Sequence, residues 1–163
     1  MSRITPFLWF NHEAEEAAHF YAAVFRNSRI GSVVRYDEAS ARASGCPAGS
    51  VMTATLELEG QEFVLLNGGR TVPFNESVSF VITCGNQQEL DHYWDRLSEG
   101  GDPRAQQCGW LKDRFGLSWQ IVPDFLPRLL RNQDPRKSAR VMKALLGMKK
   151  IILAELVRAS EQE

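Results

Sequence analysis

The 163-residue sequence has few cysteines, no long apolar run and no excess of charge of either sign. Its three cysteines (Cys46, Cys84 and Cys108) cannot all pair within one chain, and their spacing matches no zinc ribbon. Nineteen lysines and arginines against twenty aspartates and glutamates give a formal charge of −1, which disfavours a nucleic-acid partner or a polybasic membrane-binding surface. The longest apolar runs, such as residues 7–10 and 151–154, are far too short to span a bilayer, and the N-terminus has no signal-peptide core. These absences predict a reduced, cytoplasmic protein that binds neither nucleic acid nor membrane.

Length and composition predict one folded domain over residues 1–163. The chain is 44% hydrophobic and 24% charged, which is too apolar for a disordered protein. A chain of this length buries roughly 70% of its unfolded surface, so it needs no disulfide or structural metal to fold.

Residues 1–70 predict a module with the order strand, helix, strand, strand, strand. Asn11 is the predicted N-cap of the helix, whose apolar residues recur at helical spacing from Ala14 to Phe25. Residues 38–50 are rich in alanine, serine, glycine and proline, which predicts a surface loop. The predicted strands are residues 4–10, 30–36, 52–58 and 62–66.

Residues 77–123 repeat this order as a second module. A strand comes first, a helix with Asn86 as its N-cap follows, and further strands close the module. A shift of 73 positions lays Phe7 on Phe80 within the two leading strands. An internal repeat of this size indicates a duplicated βαβββ unit. The predicted strands with clear boundaries are residues 78–83, 106–111 and 117–122.

Residues 124–163 predict a helical tail. Asp134 and Pro135 are typical of a helix N-cap and first turn, and Gly147 separates this helix from a second one that begins at Lys149. No low-complexity linker precedes the tail, so we expect its helices to dock on the same domain. Their apolar residues also provide enough surface for an oligomer interface.

Several segments together resemble one known family. On these segments the chain resembles the PhnB-like, or demethylubiquinone methyltransferase-like, branch of the vicinal oxygen chelate superfamily, which includes glyoxalase I, bleomycin-resistance proteins and extradiol dioxygenases. The resemblance implies an α+β fold in which two βαβββ modules form one open, curved mixed sheet around a small-molecule cavity, with C-terminal helices added. It also implies a homodimer. The segments are ITPFLWF at 4–10, AEEAAHFY at 14–21, LLNGG at 65–69, SFVITC at 79–84, CGWLKDRFGLSWQIVP at 108–123 and MKALLGMKKI at 142–151.

The same resemblance implies four positions where enzymes of the superfamily hold a divalent metal through His, Glu or Gln side chains. In this chain they fall near Pro6, at Phe63 or Val64, and near Ser79 and Gln120. Only Gln120 among these is a suitable ligand, and one neutral amide does not hold a metal ion. We therefore expect no metal site of the superfamily type. A strand register shifted by one residue would bring other side chains to these positions, so a metal-dependent lyase, isomerase or dioxygenase is the alternative.

A methyltransferase activity, which the family label suggests, requires a place for S-adenosylmethionine. The usual fold for that cofactor has a glycine-rich turn between a parallel strand and a helix. The pair Gly68-Gly69 follows a predicted strand, but the residues from Arg70 to Pro73 do not begin a helix. We therefore predict no bound cofactor, and methyl transfer is the less favoured alternative.

Cys84 is the better candidate for a reactive thiol, because it lies two residues before the helix N-cap Asn86 and a helix N-terminus lowers the pKa of a thiol. A small, buried and inert thiol is the alternative at both Cys84 and Cys108.

The aromatic residues of the predicted strands indicate a binding cavity. Indole rings suit a flat or amphipathic ligand, and a few amide and hydroxyl groups would orient it. Plain core packing is the alternative for the same residues. We expect a small-molecule-binding protein that needs no metal, and the sequence assigns it no reaction. The residues predicted to bind the ligand are Trp9, Asn67, Phe74, Asn75, Ser79, Trp110, Trp119 and Gln120.

Overall fold

The structure is a computed structural model that describes residues 4–162. The chain divides into two compact units, Met1–Pro73 and Phe74–Glu163, called unit one and unit two below. Residues 1–3 of the predicted first module and residue 163 of the predicted tail lie outside the described residues. No helix of the described chain is long and apolar enough to cross a bilayer.

Unit one contains a four-stranded sheet with the strand order β1-β4-β3-β2. Strand β1 runs parallel to β4, and the other neighbours are antiparallel. The buried side of helix α1 consists mainly of alanines, so the helix can approach the sheet closely. The elements are β1 (Phe7–Phe10), α1 (Ala14–Val24), β2 (Ser28–Arg35), α2 (Glu38–Ser44), β3 (Val51–Leu58) and β4 (Gln61–Asn67).

Unit two contains a three-stranded sheet with the order β5-β7-β6, in which β5 and β7 are parallel and β6 and β7 antiparallel. Helix α3 packs against this sheet through four buried side chains, Leu90, Tyr93, Trp94 and Leu97. The elements are β5 (Ser79–Cys84), α3 (Gln87–Ser98), a 3-10 turn (Pro103–Ala105), β6 (Trp110–Lys112), β7 (Ser118–Pro123), α4 (Leu126–Leu130), α5 (Pro135–Leu146) and α6 (Leu153–Glu161).

Side-chain alternation gives the unit-two sheet a buried face and an open face. Because successive residues of a strand point to opposite sides, cross-strand partners share a face. Leu111, Trp119 and Ile121 are buried on one face. The opposite side, called the open face below, carries Ser79, Val81, Thr83, Trp110, Lys112, Ser118, Gln120 and Val122.

The predicted α+β fold is confirmed, with a difference in unit two. Its sheet has three strands, and the place of a fourth is taken by the Pro103–Ala105 turn and by an isolated bridge between Gln107 and Trp110. Proline lacks the N–H that a sheet ladder needs. The chain also reverses at residues 107–110, so the strand predicted at 106–111 is shortened to β6 at Trp110–Lys112.

Two local expectations in unit one also differ from the structure. The predicted loop at residues 38–50 contains helix α2, because Asp37 and Ser40 form a reciprocal capping box at its start. Helix α1 begins at Ala14, and the side chain that accepts the Ala14 N–H belongs to Asn67 on β4, not to the predicted cap Asn11.

The tail folds as part of unit two. Between α5 and α6 the chain is irregular, and there the carbonyls of Met148 and Lys149 accept hydrogen bonds from the N–H groups of Cys108 and Gly109. The amide side chain of Gln87 on α3 fixes the next stretch, since it donates to the carbonyl of Ile151 and accepts from the N–H of Leu153. Ile151 is fully buried. The tail is therefore held by backbone pairing as well as by apolar packing.

Candidate functional site

A cavity of about 750 Å³ lies beside strand β6 in unit two. This volume is within the range of small-molecule sites, roughly 300–1,000 Å³. Its floor is the β6 end of the open face, and its other walls come from the 3-10 turn, the segment before β6 and the end of helix α5. The described lining residues are Glu76, Asp102, Arg104, Ala105, Gln107, Cys108, Trp110, Leu111, Lys112, Ser118 and Leu146.

Ser118 belongs to the cavity wall, and its hydroxyl is buried. It is the first residue of β7 and is 1% exposed. Among the described residues its Oγ has no hydrogen-bond partner. Because an unsatisfied buried polar atom costs roughly 1–3 kcal/mol, such an atom in a cavity wall indicates a place where a ligand or a water supplies the missing partner.

Trp110 supplies the aromatic wall, and a tight turn places it there. The backbone groups of Gln107 and Trp110 bond reciprocally, at 2.8 and 3.1 Å. Cys108 and Gly109 between them have φ values of 54° and 85°, as a two-residue type I′ hairpin requires. Gly109 suits this conformation, whereas Cys108 is a non-glycine residue in the left-handed region. The turn therefore brings the half-buried thiol of Cys108 and the ring of Trp110 to the same cavity.

Two ion pairs lie at the rim. Lys112 Nζ is 2.9 Å from a carboxylate oxygen of Glu76, and Arg104 holds Asp102 through both Nε and a terminal nitrogen at 3.0 Å. Lys112 lowers the pKa of Glu76, and Arg104 chiefly lowers that of Asp102, with a further contribution from the charge of Lys112. The rim therefore combines two cations and two anions in matched pairs.

The open face also holds the residues at the superfamily's metal positions in unit two. Gln120 Nε2 donates to Ser79 Oγ over 2.9 Å, so these two predicted ligand-binding residues bond to each other. Gln120 lies directly opposite Trp110 in the sheet. In unit one, Val64 shares a face with Phe7 and Trp9, while Phe63 is buried on the other side.

These residues do not fit a divalent metal. Val64 offers no donor atom, and a hydroxyl bonded to a neutral amide is a poor ligand set for a divalent cation. Within residues 4–162, no three His, Cys, Asp or Glu side chains cluster in a way that suits a metal ion.

The sheet separates Trp119 from Trp110. Trp119 lies on the covered face with Phe80, whose ring centroid is 5.7 Å from its own. Its indole N–H donates to Asp113, which is 2% exposed. Because neighbouring strand residues point to opposite faces, Trp119 points away from the open face that carries Gln120 and Trp110.

Two predicted residues are engaged within unit one. Trp9 donates its indole N–H to the carbonyl of Arg70, whose guanidinium lies 5.3 Å from the centre of the Trp9 ring. Gly68 leaves room for that ring, because any Cβ there would overlap it. Asn67 accepts from the Ala14 N–H and donates to the Val51 carbonyl. Both polar groups of its side chain are therefore used in packing α1 and β3 onto β4.

Phe74 and Asn75 lie in the segment before β5. Phe74 is half-buried and Asn75 is exposed. Asn75 accepts a hydrogen bond from the N–H of Ser77, which makes it part of a local turn. Of the predicted ligand-binding residues, Trp110 is the one among the described lining residues of the cavity.

In the structure, Cys108 and not Cys84 is the better candidate for a reactive thiol. Burial, reinforced by the nearby charges of Glu89 and Asp124, raises the pKa of Cys84 to about 12. Cys84 is fully buried, so the helix N-terminus close in sequence does not activate it. Cys108, by contrast, lies half-buried in the cavity wall.

Sequence reasoning missed Ser118, Lys112 and Glu76 as site residues. Ser118 could have been found from period-two alternation, since it lies two residues before Gln120 on the same strand face. Lys112 follows in the same way from Trp110. Glu76 gave no signal, because only the folded chain brings it to Lys112, 36 positions away.

Comparison with known proteins places the chain in a family. The family model described as 3-demethylubiquinone-9 3-methyltransferase matches residues 2–122. The chain belongs to this family. Among curated proteins no match was found.

Solved structures agree with the family and the fold. A putative 3-demethylubiquinone-9 3-methyltransferase, the PhnB protein from Bacillus cereus, is 34% identical over 75% of this chain and 99% of its own, with a TM-score of 0.63. Protein PA1353 from Pseudomonas aeruginosa is 20% identical over 76% and 100%, with a TM-score of 0.56. The fosfomycin resistance protein FosX from Mesorhizobium loti is 13% identical over 80% and 100%, with a TM-score of 0.52. The resemblance to PhnB-like proteins is therefore confirmed, and the other two structures show the same fold.

Proposed function

We propose that this PhnB-like protein binds a small organic molecule, without a superfamily-type metal, in the cavity beside β6. The observation that carries the proposal is the buried hydroxyl of Ser118, which has no partner among the described residues and lies in the wall of a 750 Å³ cavity. Trp110 on the same open face offers an aromatic surface for a flat ligand. The ligand replaces the hydrogen bond that the protein itself does not make.

Within residues 4–162, no residue set supports the two enzymatic alternatives. The positions that the resemblance implies for a metal hold Val64 and the bonded pair Ser79 and Gln120, which together make a poor ligand set for a divalent cation. For methyl transfer, the strand that precedes Gly68-Gly69 is followed by residues 68–78, which contain no helix to complete a nucleotide-type turn. The proposal therefore concerns binding. It includes a homodimer, taken from the family resemblance, and a cytoplasmic location, taken from the composition.

The test uses 2-naphthamide as a neutral aromatic probe. A fragment of about 13 non-hydrogen atoms at ~0.3 kcal/mol per atom binds with a Kd of about 1 mM, a range that nitrogen-15 NMR titration measures well. We expect the probe to shift the indole N–H resonance of Trp110 and the amide resonances of Lys112 and Ser118.

Matched variants locate the site. Trp110→Leu should weaken binding at least fivefold, whereas Trp9→Leu, which removes a half-buried indole from unit one, should leave the Kd within twofold. An absence of shifts at millimolar probe, or loss of binding in Trp9→Leu with retention in Trp110→Leu, would refute the proposed site.

A further inference from the structure

We infer that the cavity selects organic anions, and that Lys112 and Ser118 together bind the anionic group, with Glu76 as the resident counter-ion that the ligand displaces. This inference rests on the proposed function, since it names the ligand class of the same cavity.

The sheet register places Ser118 and Lys112 side by side. They are directly paired residues of the antiparallel strands β6 and β7, so their side chains share one face at adjacent positions. Ser79 is the parallel partner of Ser118 on β5, and its Oγ accepts a hydrogen bond from Gln120. Both Lys112 and Ser118 line the cavity. A residue with an ammonium group and a residue with a hydroxyl donor are thus neighbours in the cavity lining.

The present partner of Lys112 is held weakly. The side chain of Lys112 is 29% exposed, while that of Glu76 is 72% exposed and belongs to the segment before β5. An ion pair with one partner in solvent contributes little net stability. A carboxylate inside the cavity would face Lys112 in a drier setting, where the attraction between charges is stronger. Exchange of Glu76 for a ligand anion is therefore favourable.

The remaining rim charges do not oppose an anion. Asp102 already receives two hydrogen bonds from Arg104, and this bidentate pair neutralises it. Arg104 is 90% exposed, so it contributes to the field at the mouth but does not hold the ligand.

The unpartnered Ser118 hydroxyl distinguishes an anion from other ligands. As an O–H donor with no acceptor among the described residues, it pairs best with an anionic oxygen, and hydrogen bonds to charged groups are about twice as strong as neutral ones. A cationic ligand would face Lys112, which repels it. A neutral amide would satisfy the hydroxyl but would not displace Glu76. The expected ligand therefore combines an aromatic or apolar body for Trp110 with a carboxylate or a similar anionic group.

The experiment compares 2-naphthoate with 2-naphthamide, two probes of nearly equal size that differ in charge. At pH 7 and low ionic strength we expect the Kd of 2-naphthoate to be about tenfold lower than that of 2-naphthamide. Lys112→Gln should remove this preference. Glu76→Gln should lower the Kd of 2-naphthoate a further two- to fivefold, because Lys112 then has no competing anion.

A control variant and the amide probe separate the two proposals. Glu57→Gln removes an anion from the exposed Arg29–Glu57 pair of unit one and should leave both Kd values unchanged. Equal binding of the two probes, or weaker binding of 2-naphthoate in Glu76→Gln, would overturn the anion site while leaving the proposed function intact. Failure of both probes to bind would overturn both proposals.

Discussion

The indole N–H of Trp119 donates a 2.8 Å hydrogen bond to the carboxylate of Asp113, and both residues are buried. The other carboxylate oxygen accepts the backbone N–H groups of Phe115 and Leu117, at 2.9 and 3.1 Å. One carboxylate therefore organises the whole connection between β6 and β7. The register that places Lys112 opposite Ser118 depends on this connection.

Trp119→Phe should destabilise the protein by about 3 kcal/mol. The substitution removes a donor from a buried carboxylate and leaves space where the larger ring was, and each effect is costly. Urea unfolding followed by circular dichroism measures the change. Trp110→Phe is the matched control in a half-buried position, where we expect less than about 1 kcal/mol. Equal losses for the two variants would contradict the structural role of Trp119.

Asn67→Ala should cost about 2 kcal/mol of the free energy of unfolding. The amide side chain accepts the Ala14 N–H at the start of α1 and donates to the Val51 carbonyl, and the loss of a helix cap alone costs roughly 0.5–2 kcal/mol. Asn75→Ala, at an exposed position, should change stability by less than about 0.5 kcal/mol. Thermal unfolding of both variants tests this, and an unchanged Tm for Asn67→Ala would show that the two bonds contribute nothing.

Local signals in the sequence predict part of this fold, and contacts between distant residues determine the rest. The α3 cap at Asn86 and the apolar faces of α1 and α3 are local signals, and the structure bears them out. The duplicated order holds for unit two only in part, because its sheet lacks one strand. The Asn67 cap was beyond local reasoning, because the acceptor and the Ala14 N–H are 53 positions apart. The missing strand of unit two was beyond it as well, since the turn at residues 107–110 is held by pairing with the tail.

Ser118→Ala should leave the protein equally stable or stabilise it by up to about 1 kcal/mol. The hydroxyl makes no hydrogen bond to a described residue, so its removal takes away a buried polar group and no interaction. The same variant should bind 2-naphthoate several-fold more weakly. Chemical unfolding in parallel with the NMR titration checks both. A destabilisation above about 1 kcal/mol would indicate that the hydroxyl has a structural partner.

Cys84 should be unreactive in the folded protein, and Cys108 should react. At pH 8.5, iodoacetamide followed by peptide mass spectrometry should label Cys108 first and Cys84 only after unfolding in urea.

The raised pKa of Cys84 also predicts how the free energy of unfolding depends on pH. The folded protein keeps the Cys84 proton up to a pKa of about 12, against about 9 for an ordinary thiol. The contribution of this thiol to the free energy of unfolding is therefore fully present below pH 9. It should fall as the pH rises from about 9 to about 12. Cys84→Ala should have a flatter profile over this range. Prompt labelling of native Cys84 would contradict the expectation.

The candidate site was predictable only in part. Strand alternation and aromatic content identify Trp110 as a pocket residue. Strand alternation also places Gln120 on the same open face as Trp110. Which face of β7 is open depends on where α3 packs, and the local sequence does not determine that packing. Trp119 was therefore predicted to bind the ligand, although it lies on the face that α3 covers. The pairing of Lys112 with Glu76 likewise exists only in the folded chain.

The irregular stretch between α5 and α6 has a consequence for anyone who shortens this protein. The family match stops at residue 122, yet Leu146 closes one side of the cavity and Met148 and Lys149 tether the turn that carries Cys108. A version that ends at residue 122 would lose one wall of this cavity. The segment that defines the family and the segment that completes the cavity therefore end at different residues.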